Sequence, residues 1–174
     1  MPIRVLSFGA GIQSTTLYLL GMDGDKECQF DYAIFADTGE EPSQVYEHLK
    51  WVQSLGGPPI MVRSAGVLLG DQFINGLNSR GGRFVSIPAY TQSATTKRGI
   101  LRRQCTQEYK IGVIEKTIRR ELLGLKPRQR APKDSVVQLI GMSFEERRRA
   151  ASVQKRFSTT KWTSCVFPLI DKQW

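Results

Sequence analysis

With 174 residues, a hydrophobic fraction of 40% and no apolar run near the roughly 18 residues needed to span a bilayer, the chain has the size and composition of one globular domain. A formal net charge of +9 points to an anionic partner: a nucleotide, a nucleic acid, or both. Cys28, Cys105 and Cys165 form no CxxC pair or disulfide framework and the N-terminus carries no signal-type apolar segment, so a reducing cytoplasm is the expected compartment and no membrane partner is expected. The first unit, IRVLSFGAGIQSTTLYLLGM (3–22), reads as a short strand, a tight loop and a helix from Ser14. In that loop Gly9 and Gly11 can take positive φ and let the backbone approach a ligand without a Cβ in the way. A second strand is expected within FDYAIFADTG (30–39). A helix follows over 41–56, with Val45, Leu49, Val52 and Leu55 on one stripe and Gly56-Gly57 as its stop.

PIMVRS (59–64) reads as a third strand and GVLLGDQFINGLN (66–78) as a helix weakened by Gly70 and Gly76. Residues 79–104 read as a loop with one strand-like piece, RFVSIPAY. The segment 106–125 has the strongest helical pattern, with Ile111, Ile114, Ile118 and Leu122 at helical spacing. KPRQRAPKD (126–134) resembles a linker, and SVVQLIGM (135–142) reads as a fourth strand. There is no internal repeat and no second domain, so one domain over 1–174 is expected. The alternation predicts an α/β fold with a parallel sheet and right-handed crossovers. Ligands of such sheets lie at the carboxyl ends of the strands, where the loops 9–14 and 37–40 fall.

The loop 9–14 is neither a Walker A sequence nor GxGxxG, because no Gly-Lys-Ser/Thr follows and GAGIQS ends in serine. Taken alone it is a strand-to-helix turn, with or without an anion on the helix N-terminus. The hydroxyls of Ser14 and Thr15 can cap the helix or bind that anion. His48, the single histidine, reads as a helix-surface residue, not a ligand or base.

Four further stretches join this loop in a recognisable order. VLSFGAGIQSTTLYLL resembles the PP-loop of the ATP pyrophosphatase and 3′-phosphoadenylylsulfate (PAPS) reductase superfamily, usually SGGxDS after a strand. FADTGEEPSQVYEHL is similar to its second-strand signature, RRQCTQEYKIGVI to the reductase group's Arg, Cys and Lys segment, LIGMSFEERRRA to its Gly-x-Ser run, and VFPLID to its late PLID segment. The resemblance implies a Rossmann-like three-layer α/β fold with a mostly parallel sheet, adenine nucleotide alpha-hydrolase-like. It also implies ATP or PAPS as ligand, with Mg2+ as an optional companion, and a homodimer as a common assembly.

Carried over residue by residue, Ser7, Phe8, Gly9, Ala10, Gly11, Gln13, Ser14 and Thr15 would form the phosphate loop. Backbone around Phe35 and Ala36 would face the adenine, with Asp37, Thr38 and Gly39 on the rim. Arg102, Arg103 and Lys110 would meet a terminal phosphate or sulfate, and Gly141, Glu146 and Arg149 would close the far side. Each has a structural rival: Asp37 as a turn cap, the arginines as a solvated basic face, Glu146 and Arg149 as a surface ion pair. Cys105, beside Arg103 and near Lys110, has the electropositive setting of a reactive thiol and is the candidate catalytic residue, whereas Cys165 reads as a buried, inert one.

The chain departs from the pattern in two ways. Gly9 replaces the first serine, and Gln13 replaces an aspartate that would carry charge near magnesium. The reductase group's C-terminal cysteine motif is not found after PLIDKQW, so a missing C-terminal segment is expected. Three functions follow. With ATP, an acceptor is adenylylated and pyrophosphate lost; with PAPS, sulfur is reduced. The second is a component of DNA or tRNA sulfur modification, supported by basic stretches at 97–103, 119–133 and 147–156. The third is a catalytically silent nucleotide-binding scaffold.

Overall fold

The computed structural model describes residues 1–66, 70, 74, 90–91, 99–100 and 106–174. Its elements begin with β1 (Ile3–Phe8), α1 (Ile12–Met22), β2 (Tyr32–Asp37), α2 (Ser43–Ser54) and β3 (Ile60–Ser64). A small antiparallel pair, β4 (Tyr90–Thr91) and β5 (Gly99–Ile100), comes next. α3 (Gly112–Thr117) is flanked by π-helical turns at Thr106–Ile111 and Ile118–Leu122. Then come β6 (Val136–Ile140), a 3₁₀ turn (Phe144–Glu146) running into α4 (Arg147–Ser158), β7 (Thr163–Val166) and α5 (Pro168–Asp171). The expected helix 66–78 and loop 79–104 lie almost wholly outside the described residues.

The five longer strands form one all-parallel sheet in the order β3-β2-β1-β6-β7. Parallel strands covered on both faces need apolar side chains pointing both ways, which explains the continuous runs. Val5 and Leu6 of β1 are both wholly buried, as are Ala33 and Ile34 of β2. One face packs Leu6, Phe8, Ala33, Phe35 and Leu139 against Leu17 and Tyr18 of α1, Leu49 and Val52 of α2, and Leu169 of α5. The opposite face packs Val5, Ile34 and Val136 against Ile114 and Ile118. α4 lies along β7, with Ala150 and Phe157 buried and Gln154 accepting from the Cys165 thiol at 3.2 Å. This is a three-layer, doubly wound α/β fold of Rossmann-like type.

Three local differences from the expected pattern have simple causes. α1 starts at Ile12 because the extended Gly11 (φ −94, ψ 174) already serves as its N-cap. α2 ends at Ser54, leaving Leu55 outside the helix and 36% exposed. The third concerns 106–125, where π-helical turns flank the α-helix; the Leu123 amide reaches Ile118 O at 2.9 Å. The extra residue in that turn sets both Leu122 and Leu123 against the second core cluster. Among the described residues no helix is long and apolar enough to cross a membrane.

Candidate functional site

The strand order reverses between β1 and β6, so the connections leaving these neighbours run to opposite faces and open a crevice at their carboxyl ends. On the β1 side the chain turns through Gly9, Ala10 and Gly11 into α1. The left-handed residue of that turn is Ala10 (φ 53); neither Gly9 nor Gly11 adopts positive φ, and both leave open space where a Cβ would stand. Ser14 fixes the turn from within, since its hydroxyl accepts from the Gly9 amide at 3.2 Å and donates to Gly11 O at 3.1 Å. It therefore braces the loop and does not cap the helix through its side chain.

The amides that remain define the chemistry. Among the described residues, the N–H groups from Ala10 through Ser14 have no hydrogen-bond partner, and the first turn of α1 holds no acidic side chain. Unpaired N–H groups at a helix start, aligned with the helix dipole and preceded by a left-handed residue, form a concave anion cradle.

The β6 side closes onto the same helix end. A Cβ on Gly141 would stand 2.8 Å from the Ser14 nitrogen and 2.9 Å from the Gln13 carbonyl carbon, so only glycine permits this approach. Ser143 then starts the turn into α4 with a reciprocal capping box to Glu146. The Glu146 carboxylate accepts from the Gln13 side-chain amide at 3.5 Å, the Ser143 amide at 3.4 Å and Arg149 at 2.8 Å. Gly141, Glu146 and Arg149 are thus brought to the 9–14 loop, and Glu146 with Arg149 also makes the surface ion pair.

At the third edge, β2 runs two residues beyond Phe35, its last partner on β1, leaving the backbone of Ala36 and Asp37 beside the crevice. The Asp37 carboxylate accepts from the Gly39 amide and the Tyr46 hydroxyl, each at 2.8 Å. It is a turn brace as well as a rim residue. Desolvation, with Asp37 as acceptor, pushes the Tyr46 phenol up. Thr38 donates to Glu41 at 3.1 Å, and Lys110 pairs with Glu41 at 2.9 Å. Lys110 therefore reaches the rim with its charge already engaged. The side chains of Phe8, Phe35 and Ala36 are core, and Ser7 is half-buried within β1. Arg102, Arg103 and Cys105 lie outside the described residues. Burial pushes the Cys28 and Cys165 thiols up to about 11, which makes both poor nucleophiles.

His48 sits on the surface of α2, as expected, and also contacts a second element. It is half-buried on α2, with Nε2 2.8 Å from the Thr15 hydroxyl and its ring 5.2 Å from that of Trp51. Together with Ala10, Gly11, Ile12 and Trp51 it lines a groove of about 430 Å³ beside the loop. A helical i, i+3 pairing of His48 with Trp51 is visible in the sequence, but the Thr15 contact joins two elements and leaves no local signal.

Among the described residues, the side-chain donors at the crevice are already engaged with one another. Gln13 offers an amide N–H toward Glu146, and the Glu146 carboxylate already accepts from an arginine and a backbone amide. Among the described residues no group of three or more His, Cys, Asp or Glu side chains is placed to hold a metal. Comparison with known proteins finds no matching family model, no matching curated protein and no matching solved structure.

Proposed function

We propose that the chain is an adenine-nucleotide-binding protein of the PP-loop, PAPS reductase-like kind, which takes ATP or a sulfonucleotide with its phosphates on the amides of Ala10 to Ser14. One observation carries the reading: an uncapped run of amides at the start of α1, set in the crevice where the sheet reverses direction. The left-handed Ala10 adds support, since it stands where the PP-loop pattern has glycine. The adenine rests on the resemblance of FADTGEEPSQVYEHL, and the backbone edge of Ala36 and Asp37 that faces past β1, the other edge being paired with β3, suits a planar base there.

The residues at the crevice divide the work as follows. Backbone amides bind and orient the phosphates without a protein carboxylate competing in the first turn. Gln13, held toward Glu146, contributes a neutral donor where a charged metal ligand would otherwise stand. Charge on a leaving pyrophosphate is then offset by the dipole and by cations delivered from elsewhere in the chain. Binding needs only the loop amides, whereas turnover also needs Arg102 and Arg103 to meet the terminal phosphate or sulfate.

Calorimetric titration with ATP and with PAPS, each with and without magnesium, tests it. Tighter binding of the sulfonucleotide assigns a reductase-type pocket; tighter, magnesium-assisted binding of ATP assigns an adenylylating one. Failure of both nucleotides to bind overturns the proposal.

A further inference from the structure

The basic material of the chain is gathered in a way that the nucleotide reading does not use. Helix α4 buries only Ala150 and Phe157, with Val153 half-buried, and so packs a single narrow stripe on β7. At 100° per residue, Arg148 and Lys155 point directly away from that stripe, while Arg149 and Arg156 form a parallel row on one flank. Each row holds two cations seven residues apart, a rise of about 10 Å. Three phosphate steps on one strand of a duplex advance the same distance along the duplex axis, at about 3.4 Å each.

The helix does not stand alone. The turn after it meets the 126–134 loop, where the Asp134 amide donates to Lys161 O at 3.0 Å. Lys126, Arg128, Arg130 and Lys133 of that loop are exposed, as is Lys161. Of the cations on this surface Arg149 pairs with Glu146 and Lys133 with Asp134; Arg148, Lys155, Arg156, Arg128 and Arg130 make no ion pair among the described residues. The other end of α4 begins at Glu146, whose carboxylate faces Gln13 at the start of α1. Exposed cations therefore line α4 and the loop that its C-terminal turn meets, while the crevice end of α4 also carries Glu145 and Glu146.

We propose that this surface is a track for a nucleic-acid backbone, which enters at the 126–133 loop and follows α4 to the start of α1. Charge complementarity over that length favours a polyanion with regular spacing. An anionic membrane is a poorer fit, because the apolar side of α4 is spent on the sheet and no apolar face is left to insert. The track needs no nucleotide and stands apart from the nucleotide reading; where both hold, the nucleic acid is the acceptor delivered to the phosphate site.

Fluorescence anisotropy of the full chain, without nucleotide, tests it with labelled single-stranded DNA, duplex DNA and RNA of about 20 units. Contact with about four phosphates predicts a fall of roughly a hundredfold in affinity between about 50 and 200 mM salt. The double variant Arg148→Glu/Lys155→Glu is expected to bind at least about tenfold more weakly, with a salt slope shallower by about 2. Lys26→Glu/Lys50→Glu lowers the net charge equally on exposed sites of other elements and is expected to keep most of the affinity. Arg148→Gln/Lys155→Gln gives a milder version, and circular dichroism checks that each variant is folded. Absence of binding to every nucleic acid at low salt overturns the proposal, as does equal loss in the control pair. So does equal or tighter, equally α4-dependent binding to heparin or to vesicles of anionic lipid. ATP calorimetry on the Arg148→Glu/Lys155→Glu variant separates the two readings, because nucleotide affinity is expected to be unchanged there.

Discussion

Ala10 carries a backbone conformation that costs an L-residue roughly 1–2 kcal/mol, yet its methyl group also packs against the main core cluster. Replacement by glycine removes the strain but gives up part of a methyl contact and adds about 0.5–1 kcal/mol of unfolded-state entropy. These terms nearly cancel, so Ala10→Gly is expected within about 0.5 kcal/mol of the parent, while Ala10→Val, β-branched at positive φ, loses about 2 kcal/mol or more. A half-buried alanine in ordinary backbone would give the reverse order, and urea unfolding of the two variants decides between them. Gly141 makes the opposite demand, for space and not for φ. The atoms a Cβ would strike belong to the backbone of Gln13 and Ser14, which have little freedom to withdraw. Gly141→Ala is expected to cost about 1–3 kcal/mol and to weaken ATP binding in calorimetry, because α1 must shift with its amides. Normal stability with normal nucleotide affinity would contradict that assignment. Gly9 and Gly11 looked like the natural carriers of positive φ by residue type, but which residue of a three-residue turn goes left-handed depends on where the helix starts. No local pattern marks that.

At the scale of elements, the junction between the starts of α1 and α4 is the feature most open to test. Gln13→Asp restores the acid of the PP-loop pattern and sets it against the Glu146 carboxylate, 3.5 Å from the present amide. A carboxylate in the first turn gains about 0.3–1 kcal/mol from the helix dipole. With Asp one methylene shorter than Gln, two carboxylates about 5 Å apart repel by up to about 3 kcal/mol at a surface-like dielectric, so repulsion outweighs the dipole unless a cation intervenes. The variant is expected to melt lower than the parent in EDTA and to gain more from magnesium than the parent does; thermal melts of both with and without the metal read it. A magnesium response equal to the parent's would mean the two side chains turn apart. The strands β1, β2, β3 and β6 were legible because each is an apolar run closed by glycine, proline or polar residues. β7 was legible only as a strand-like context around Cys165, because Thr163-Ser164-Cys165-Val166 alternates and is half polar. The π-helical turns hid for another reason. Ile111, Ile114, Ile118 and Leu122 satisfy a helical period whether or not a turn takes one residue more. In the site, the loop glycines, Gly141 and Glu146 were legible through their motifs, whereas the Thr15–His48 contact spans two helices and the sequence does not announce it.

For the whole molecule, the decisive long-range link ties the C-terminal turn to the connection between α1 and β2. Lys172, just past α5, lies 2.8 Å from Asp25 and 2.9 Å from Glu27, while Leu169 seats the same segment in the core. From the other side Arg4 of β1 donates to Glu27 O at 2.7 Å, so two cations hold one connection. The Lys172 ammonium holds the Asp25 carboxyl below its ordinary value, helped by the Cys28 and Glu27 amides, and the two carboxylates hold Lys172 above its own. The lowered acid contributes stability above its unfolded value, about 3.9, and that contribution is lost as pH falls through the lower folded value. The raised amine contributes below its unfolded value, about 10.4, and its share is lost as pH rises through the higher folded value. The link is therefore fully present from about pH 4 to about pH 10. Both groups are exposed enough for salt to weaken it. Lys172→Ala is expected to lower the urea midpoint across that window and to match the parent once Asp25 is protonated in both. Added salt at pH 7 should narrow the gap in the same direction. A gap that stays constant from neutral to strongly acidic pH would instead mean that the lysine acts through its methylene packing, and that the hold on the C-terminal turn is apolar.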